Sequence, residues 1–247
     1  MQEEISSSIE RYIEYFKNQI SEINEISGES SKLYKKILYS SIIDALAKVV
    51  YPYSKNRDRF ISFLRNFSKW KDLEKVTVPH LYHLLHKNPD PVFQELREYI
   101  TSIYRSSPVH NASIVGIDQD PDTKDLIKFF PNRDVSKYII ANINLESLKH
   151  VSLFYAYRNS LIHEYRSPGM GPEMQDAKSP FYIMRSEIDF NRSEVIPVNI
   201  ELVYPVAFFS QMCSDCLIKL GEYLHKNLID PYQFYKFGSY WYPELNQ

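Results

Sequence analysis

The chain has 247 residues, of which 44% are hydrophobic, and its formal net charge is −2. This length suits one domain with elaborations, and the charge argues against a protein that binds any polyanion through a uniformly basic surface. Only six glycines occur, and none lies in a G-x-G-x-x-G or G-x-x-x-x-G-K-[ST] loop, which excludes the glycine-rich nucleotide-binding signatures.

The first residues, MQEEISSS, are acidic and polar, so we expect no signal peptide. No apolar run reaches the roughly 18 residues of a membrane span, so no membrane partner is expected. Cys213 and Cys216 give no disulfide framework, and a reducing, cytoplasmic setting is therefore expected. Because both lie inside an amphipathic stretch, we predict buried structural thiols there.

The first 51 residues contain no proline, and apolar residues recur in them at helical spacing. The pattern predicts one amphipathic helix that stops at Gly28 and a second that begins after a Ser30 cap and ends before Pro52. Asn56 is the predicted cap of a third helix, NRDRFISFLRNFSKW. Two shorter helices are predicted after it, at 79–87 and 91–106.

Residues 107–145 contain three prolines and an acidic turn, and their periodicity is mixed. We predict an inserted segment with one short helix. A strong helix resumes near Leu145 and is predicted to end at Ser167-Pro168-Gly169.

The remaining segments complete the predicted fold. Runs of β-branched and aromatic residues predict a small antiparallel β-hairpin at 181–204, and Pro205 opens a last long helix. The tail at 229–247 is dense in aromatic residues, which we expect to dock on the domain or on a partner subunit rather than to stack on nucleobases. The prediction is one mostly α domain over 1–247, a helical bundle with an inserted segment and a hairpin before the last helix.

Two groups of residues are weak candidates for a metal-binding site. His80, His83 and His86 recur every third residue of one predicted helix, so two of them could share a metal ion, yet no further ligand is evident. A polar helix stripe is the favoured interpretation. The run DQDPDTKDLIKF begins like a calcium loop but lacks the required glycine and glutamate, and it predicts a solvated acidic loop.

The segment YRNSLIHEYRSPG, residues 157–169, concentrates polar groups at the end of an apolar helix. Asn159 and His163 are four residues apart and share a face, and the long Arg158 side chain can swing towards them. An arginine can neutralise charge on a phosphate and a histidine can move protons near neutral pH, whereas this set is a poor metal site. An ordinary charged helix terminus explains the same spacing equally well.

Asp44 lies in the apolar stretch IIDALA, where a lone carboxylate needs a partner. Two interpretations stay open. The residue reaches a backbone group or an arginine for structure alone, or it orients an arginine of a functional site.

RNSLIHEY resembles the R-x4-H signature of the HEPN superfamily in its R-N-x-x-x-H form. It also fits the R-x4-H-x-Y version found in toxins of HEPN–nucleotidyltransferase toxin–antitoxin modules. The resemblance implies a four- or five-helix bundle that covers about 1–105, 145–166 and 205–228. The segments 107–145 and 181–204 depart from the minimal family pattern.

The resemblance implies an endoribonuclease that uses no metal or other cofactor and acts as a homodimer with one composite site. Arg158 would hold the scissile phosphate, His163 would act as general acid or base, and Asn159 would orient the histidine or bind phosphate. The RNA 2′-hydroxyl would attack, leaving a 2′,3′-cyclic phosphate and a 5′-hydroxyl. Tyr165 matches the tyrosine that receives adenylyl groups from a nucleotidyltransferase-type antitoxin.

Alternative functions stay open at this point. The first is an active ribonuclease in defence, stress response or a toxin–antitoxin pair. The second is a catalytically inactive HEPN module that binds a nucleotide or another protein. A third, weaker hypothesis is a metal hydrolase built on the three histidines of the predicted fourth helix.

Overall fold

The computed structural model describes residues 2–106, 114–130, 139–169, 171–174, 177–189 and 194–234. The chain is mostly helical, as predicted, and a small antiparallel sheet precedes the last long helix. The α-helices are α1 Gln2–Glu25, α2 Ser31–Val50, α3 Asn56–Phe67, α4 Val78–Lys87, α5 Gln94–Ser106, the single turn α6 Thr123–Leu126, α7 His150–His163 and α8 Val206–Asn227. No helix in these ranges is long and apolar enough to cross a membrane.

Five of the helices, α1, α2, α3, α7 and α8, form a bundle around one large hydrophobic core. Helix α2 lies at its centre and contacts the other four, since it buries apolar residues around most of its circumference. Helix α1 covers it with one stripe at i, i+3 and i+4 spacing, made of Ile9, Tyr12, Phe16, Ile20 and Ile23.

Two of the predicted helix caps differ from those in the structure, at the N-termini of α2 and α3. Ser30 occupies the N-cap position of α2, but its side chain makes no capping hydrogen bond. Asn56 is the first residue of α3 rather than its cap, and its Oδ1 accepts a hydrogen bond from Arg59 Nη2 at 2.8 Å. The Asn56 side-chain oxygen is therefore bonded to an arginine and not to a backbone N–H group.

Helices α4 and α5 pack in a second hydrophobic core, together with parts of the inserted segment. The insertion supplies Leu126, Phe130 and Ile140 to that core, and it contains α6 and the strand pair β2 Ile139–Ile140 and β3 Ile143–Asn144. A 3-10 turn, Leu145–Leu148, precedes α7, so the helix begins at His150 and not near Leu145 as predicted. The described parts of the insertion, 114–130 and 139–145, thus contribute to the folded interior.

The predicted hairpin is present. Strand β4, Phe181–Asp189, pairs antiparallel with β5, Glu194–Val203, with Phe181 opposite Val203. A register shift lies between Arg185 and Ser186, where β5 steps from Asn199 to Pro197. The inserted segment adds a third strand, β1 Ile114–Gly116, along the other edge of β4.

The start of the predicted aromatic tail docks on the chain itself. The Tyr232 ring lies 5.6 Å from the ring of Tyr12, and the Phe234 ring lies 5.8 Å from that of Tyr53, both measured between centroids. The other aromatic residues of the tail, at 235–247, lie outside the described residues.

Candidate functional site

Helix α7 carries the R-x4-H motif. Its buried face, which includes Phe154, Tyr157 and Leu161, packs into the bundle, and the motif residues lie beside that face. The helix ends at His163, earlier than predicted, and Glu164 N donates to Ser160 O at 3.0 Å. The chain then turns through Tyr165, whose φ of 56° is in the left-handed region.

Arg158 is held by two neighbours. Its Nε donates to Asp44 Oδ2 at 2.8 Å, its Nη2 donates to the same oxygen, and its Nη1 donates to Asn159 Oδ1 at 2.9 Å. The Arg158 and Asp44 side chains are 12% and 18% exposed, so this ion pair lies at the edge of the core. The predicted contact of Asp44 with an arginine is therefore present, and the partner is the motif arginine itself.

Asp44 lies at the centre of a basic cluster. Burial raises the pKa of Asp44 above its usual value, while the hydrogen bond from Arg158 and the positive charges of Arg158, Arg59 and His163 counteract this shift. The positive charges of two arginines act on one carboxylate, so positive charge exceeds negative charge by one among these groups. The site is therefore locally basic although the chain as a whole is slightly acidic.

His163 and Tyr165 follow this cluster along the chain, and both are exposed. His163 is exposed in the last turn of α7, and no hydrogen bond joins it to another described residue. The Tyr165 side chain is 60% exposed, and its ring lies 6.2 Å from that of Tyr34 on α2. Glu164 and Arg166 form an ion pair with each other, and both are exposed.

A buried lysine lies behind the motif and was not predicted. Lys36 is 2% exposed, donates to Tyr157 Oη at 2.9 Å and forms an ion pair with Glu173. Glu173 also accepts from Val206 N at 3.1 Å, which caps α8. Glu173 thereby connects the loop that follows the motif to helices α2 and α8.

A second polar cluster lies at the other end of α7, and the sequence did not reveal it. Asp120 Oδ2 accepts from Tyr182 Oη at 2.6 Å and lies 2.7 Å from His150 Nε2, and Asp120 Oδ1 accepts from Val78 N at 3.1 Å. Asp120 is only 5% exposed, so the prediction of a solvated acidic loop is wrong for this residue. The cluster joins the insertion, α4, α7 and β4 within the interior.

The histidines of α4 and the cysteines of α8 are weaker candidates, and the structure shows where they lie. His80, His83 and His86 are exposed, in line with a polar stripe, and no three His, Cys, Asp or Glu side chains in the described ranges are grouped as metal ligands. Cys213 and Cys216 are free and buried, as predicted, and burial raises the pKa of both thiols.

The structure therefore brings Arg158, Asn159 and Asp44 into contact and places His163 one turn further along, at the exposed end of a helix in a mostly helical protein. Comparison with known proteins finds no matching family model, curated protein or solved structure. The functional inference below uses the residues of this chain and the motif they form.

Proposed function

We propose that the chain is a metal-independent endoribonuclease of the HEPN type. The observation that supports this proposal is the geometry of the motif: a guanidinium fixed by Asp44 and Asn159, with the exposed His163 one turn later on the same helix. Such a set supplies the two functions that RNA transesterification needs, charge neutralisation at phosphorus and proton transfer. Defence, a stress response or a toxin–antitoxin pair is the setting we propose.

Arg158 is suited to bind a phosphate. A guanidinium has five N–H donors, and the hydrogen bonds to Asp44 and Asn159 use three of them. The remaining donors, one on each terminal nitrogen, are left for the non-bridging oxygens of the scissile phosphate. Because Asp44 fixes the side chain, little conformational freedom is lost when the phosphate binds.

His163 would transfer protons in the same step. The 2′-hydroxyl loses its proton as it attacks phosphorus, and the departing 5′-oxygen gains one, which leaves a 2′,3′-cyclic phosphate and a 5′-hydroxyl. One histidine cannot be base and acid at the same moment on opposite sides of the phosphorus. We therefore propose a homodimer in which two copies of His163 meet in one composite site.

RNA cleavage with EDTA present tests this function. We expect the parent chain to produce 2′,3′-cyclic ends, and we expect His163→Ala and Arg158→Ala to lose roughly 10²- to 10⁴-fold in rate. His83→Ala and Arg11→Ala, which change exposed residues away from the motif, are the matched controls. Equal rates for the parent and both motif variants would show that the site assignment is wrong.

Light scattering and a modification assay test the proposed partners. A chain that stays monomeric at micromolar concentration and still cleaves RNA would contradict the composite site. The exposed Tyr165 hydroxyl is the proposed target of a nucleotidyltransferase-type antitoxin, so an adenylyl mass shift should appear with such an enzyme and ATP. Tyr165→Phe should abolish that shift.

One observation favours a catalytically inactive, nucleotide-binding module as a second candidate. The Arg158 side chain is 12% exposed and fixed by Asp44, so its two remaining N–H donors can hold the phosphate of a bound nucleotide without any catalytic step. Calorimetry would then show nucleotide binding that is lost in Arg158→Ala, while no RNA in a panel of structured and single-stranded substrates is cleaved.

A further inference from the structure

One side of helix α7 carries a line of residues that continues from the motif towards the start of the helix. Ser152, Asn159 and His163 follow one another at intervals of seven and four residues, so they lie within about 40° of each other around the axis. Tyr155 lies about 60° from Ser152, beside the same line. Ser152 and His163 are roughly 16 Å apart along the axis, because each residue adds about 1.5 Å. The motif therefore occupies one end of this line, which we call the α7 stripe.

A second arginine is fixed at the other end of the α7 stripe. Arg57, in the first turn of α3, donates from Nη2 to Ser152 Oγ at 3.2 Å. Arg57 is exposed, and this hydrogen bond uses one of its five N–H donors. No carboxylate of the described ranges forms an ion pair with Arg57, and this includes its neighbour Asp58. The Arg57 guanidinium is therefore positioned on α7 and keeps donors for a ligand.

The motif arginine reaches the same stripe from the side. The guanidinium carbon of Arg158 lies 5.9 Å from the centroid of the Tyr155 ring, and its Nη1 donates to Asn159 Oδ1 at 2.9 Å. Tyr155 and Asn159 are half-buried and His163 is exposed, so a ligand can approach this part of the helix. Helix α7 itself contains no acidic residue. The stripe thus leads from Arg57 past Arg158 to His163.

The start of α3 is close to the motif as well. The Phe60 ring lies 5.6 Å from the Tyr155 ring between centroids, so the first turns of α3 pack against the middle of α7. Burial raises the pKa of Asp44, and Arg59, which precedes Phe60, is one of the positive charges that counteract this shift. The first turn of α3 and the motif therefore border one surface.

We propose that Arg57 binds a second phosphate of the RNA strand whose scissile phosphate is bound by Arg158. This inference rests on the proposed ribonuclease function and extends it to the substrate, a single strand that lies along the α7 stripe. The two arginines contact α7 at Ser152 and Asn159, roughly 10 Å apart along the axis, which suits two phosphates of one strand better than a single phosphate. Proteins that bind single strands commonly follow the backbone with a series of cationic side chains.

Binding of two forms of a 2′-O-methyl RNA tetranucleotide, which cannot be cleaved, tests this inference. All linkages are charged in the first form, whereas neutral methylphosphonates leave one charged linkage in the second. We expect the first form to bind roughly thirtyfold more tightly to the parent chain, but only about threefold more tightly to Arg57→Gln. This ratio is measured within each variant, so a change in stability does not affect it. Arg11→Gln is the matched control and should keep the parent ratio, because Arg11 is also exposed and donates from Nη2 to a serine hydroxyl, Ser8 Oγ, at 3.3 Å.

The possible results separate this inference from the proposed function. If Arg57→Gln keeps the parent ratio while the parent cleaves RNA, the second phosphate contact is wrong and the ribonuclease function stands. An equal fall of the ratio in Arg11→Gln would indicate attraction by net charge alone and would also overturn the contact. A parent chain that shows the expected ratios but leaves RNA intact would retain the contact and overturn the ribonuclease function. A folded parent chain that binds neither form up to millimolar concentration and cleaves no RNA would overturn both.

Discussion

Replacing Asp44 by alanine removes the carboxylate that holds Arg158 and leaves the guanidinium at the edge of the core without its main partner. Exposed ion pairs contribute about 0.2–1 kcal/mol, and breaking a fully buried pair costs about 3–5 kcal/mol. The two side chains are 12% and 18% exposed, which places this pair between those limits. We therefore expect Asp44→Ala to lower the free energy of unfolding by about 2 kcal/mol.

A double variant separates the structural role of the pair from its role at the site. Asp44→Leu combined with Arg158→Met removes both charges and fills a similar volume, so no unpaired charge remains. We expect its free energy of unfolding to return to within about 1 kcal/mol of the parent value. RNA cleavage should stay abolished, because the phosphate-binding guanidinium is gone.

Urea unfolding followed by circular dichroism, together with a cleavage assay on the same samples, measures both effects. An Asp44→Ala variant as stable as the parent would refute the inferred strength of the pair. A double variant that is stable and still cleaves RNA at the parent rate would refute the assignment of Arg158 to phosphate binding, whatever its contribution to the fold.

Four further substitutions test other parts of the structure. Asp120→Ala leaves three buried groups without their acceptor and should cost about 3–5 kcal/mol in urea unfolding, against about 1.5 kcal/mol for Tyr182→Phe. Tyr165→Gly relieves the left-handed φ of 56° and should raise the free energy of unfolding by about 0.5 kcal/mol, seen as a higher urea midpoint. Burial raises the pKa of Glu74, but hydrogen bonds from Arg65 and Lys149 outweigh this and hold it below 4.5. Its contribution to stability is therefore present above pH 4.5 and lost as the pH falls through the folded-state pKa, so urea midpoints of Glu74→Gln should depend less on pH in that range.

The helices were predictable because each carries a local signal. The spacing of Ile9, Tyr12 and Phe16 defines the buried stripe of α1, and the aromatic and β-branched run at 181–188 defines β4. Both signals depend on residues that are close in sequence. The motif was visible for the same reason, since Arg158 and His163 are five residues apart on one helix.

The missed features all depend on contacts between distant residues. Strand β1 has three residues, too few for an alternating pattern, and exists because it pairs with β4. The sequence predicts Asp120 to be an acidic loop residue. In the fold, Tyr182, which follows it by 62 positions, donates a hydrogen bond to its carboxylate. The partner of the buried Lys36 is Glu173, in a loop whose composition predicts only a turn.

Glu173 makes the loop after the motif resistant to opening. Moving Glu173 out of its position would leave the ammonium of Lys36, which is 2% exposed, without its carboxylate partner. It would also break the hydrogen bond to Val206 N at the start of the 22-residue helix α8. A protease that needs an extended substrate must first break both contacts, so cleavage around Glu173 should be slow in the folded chain. Glu173→Gln, which keeps an acceptor for Val206 N but gives up the charge, would turn the same loop into a preferred site of nicking.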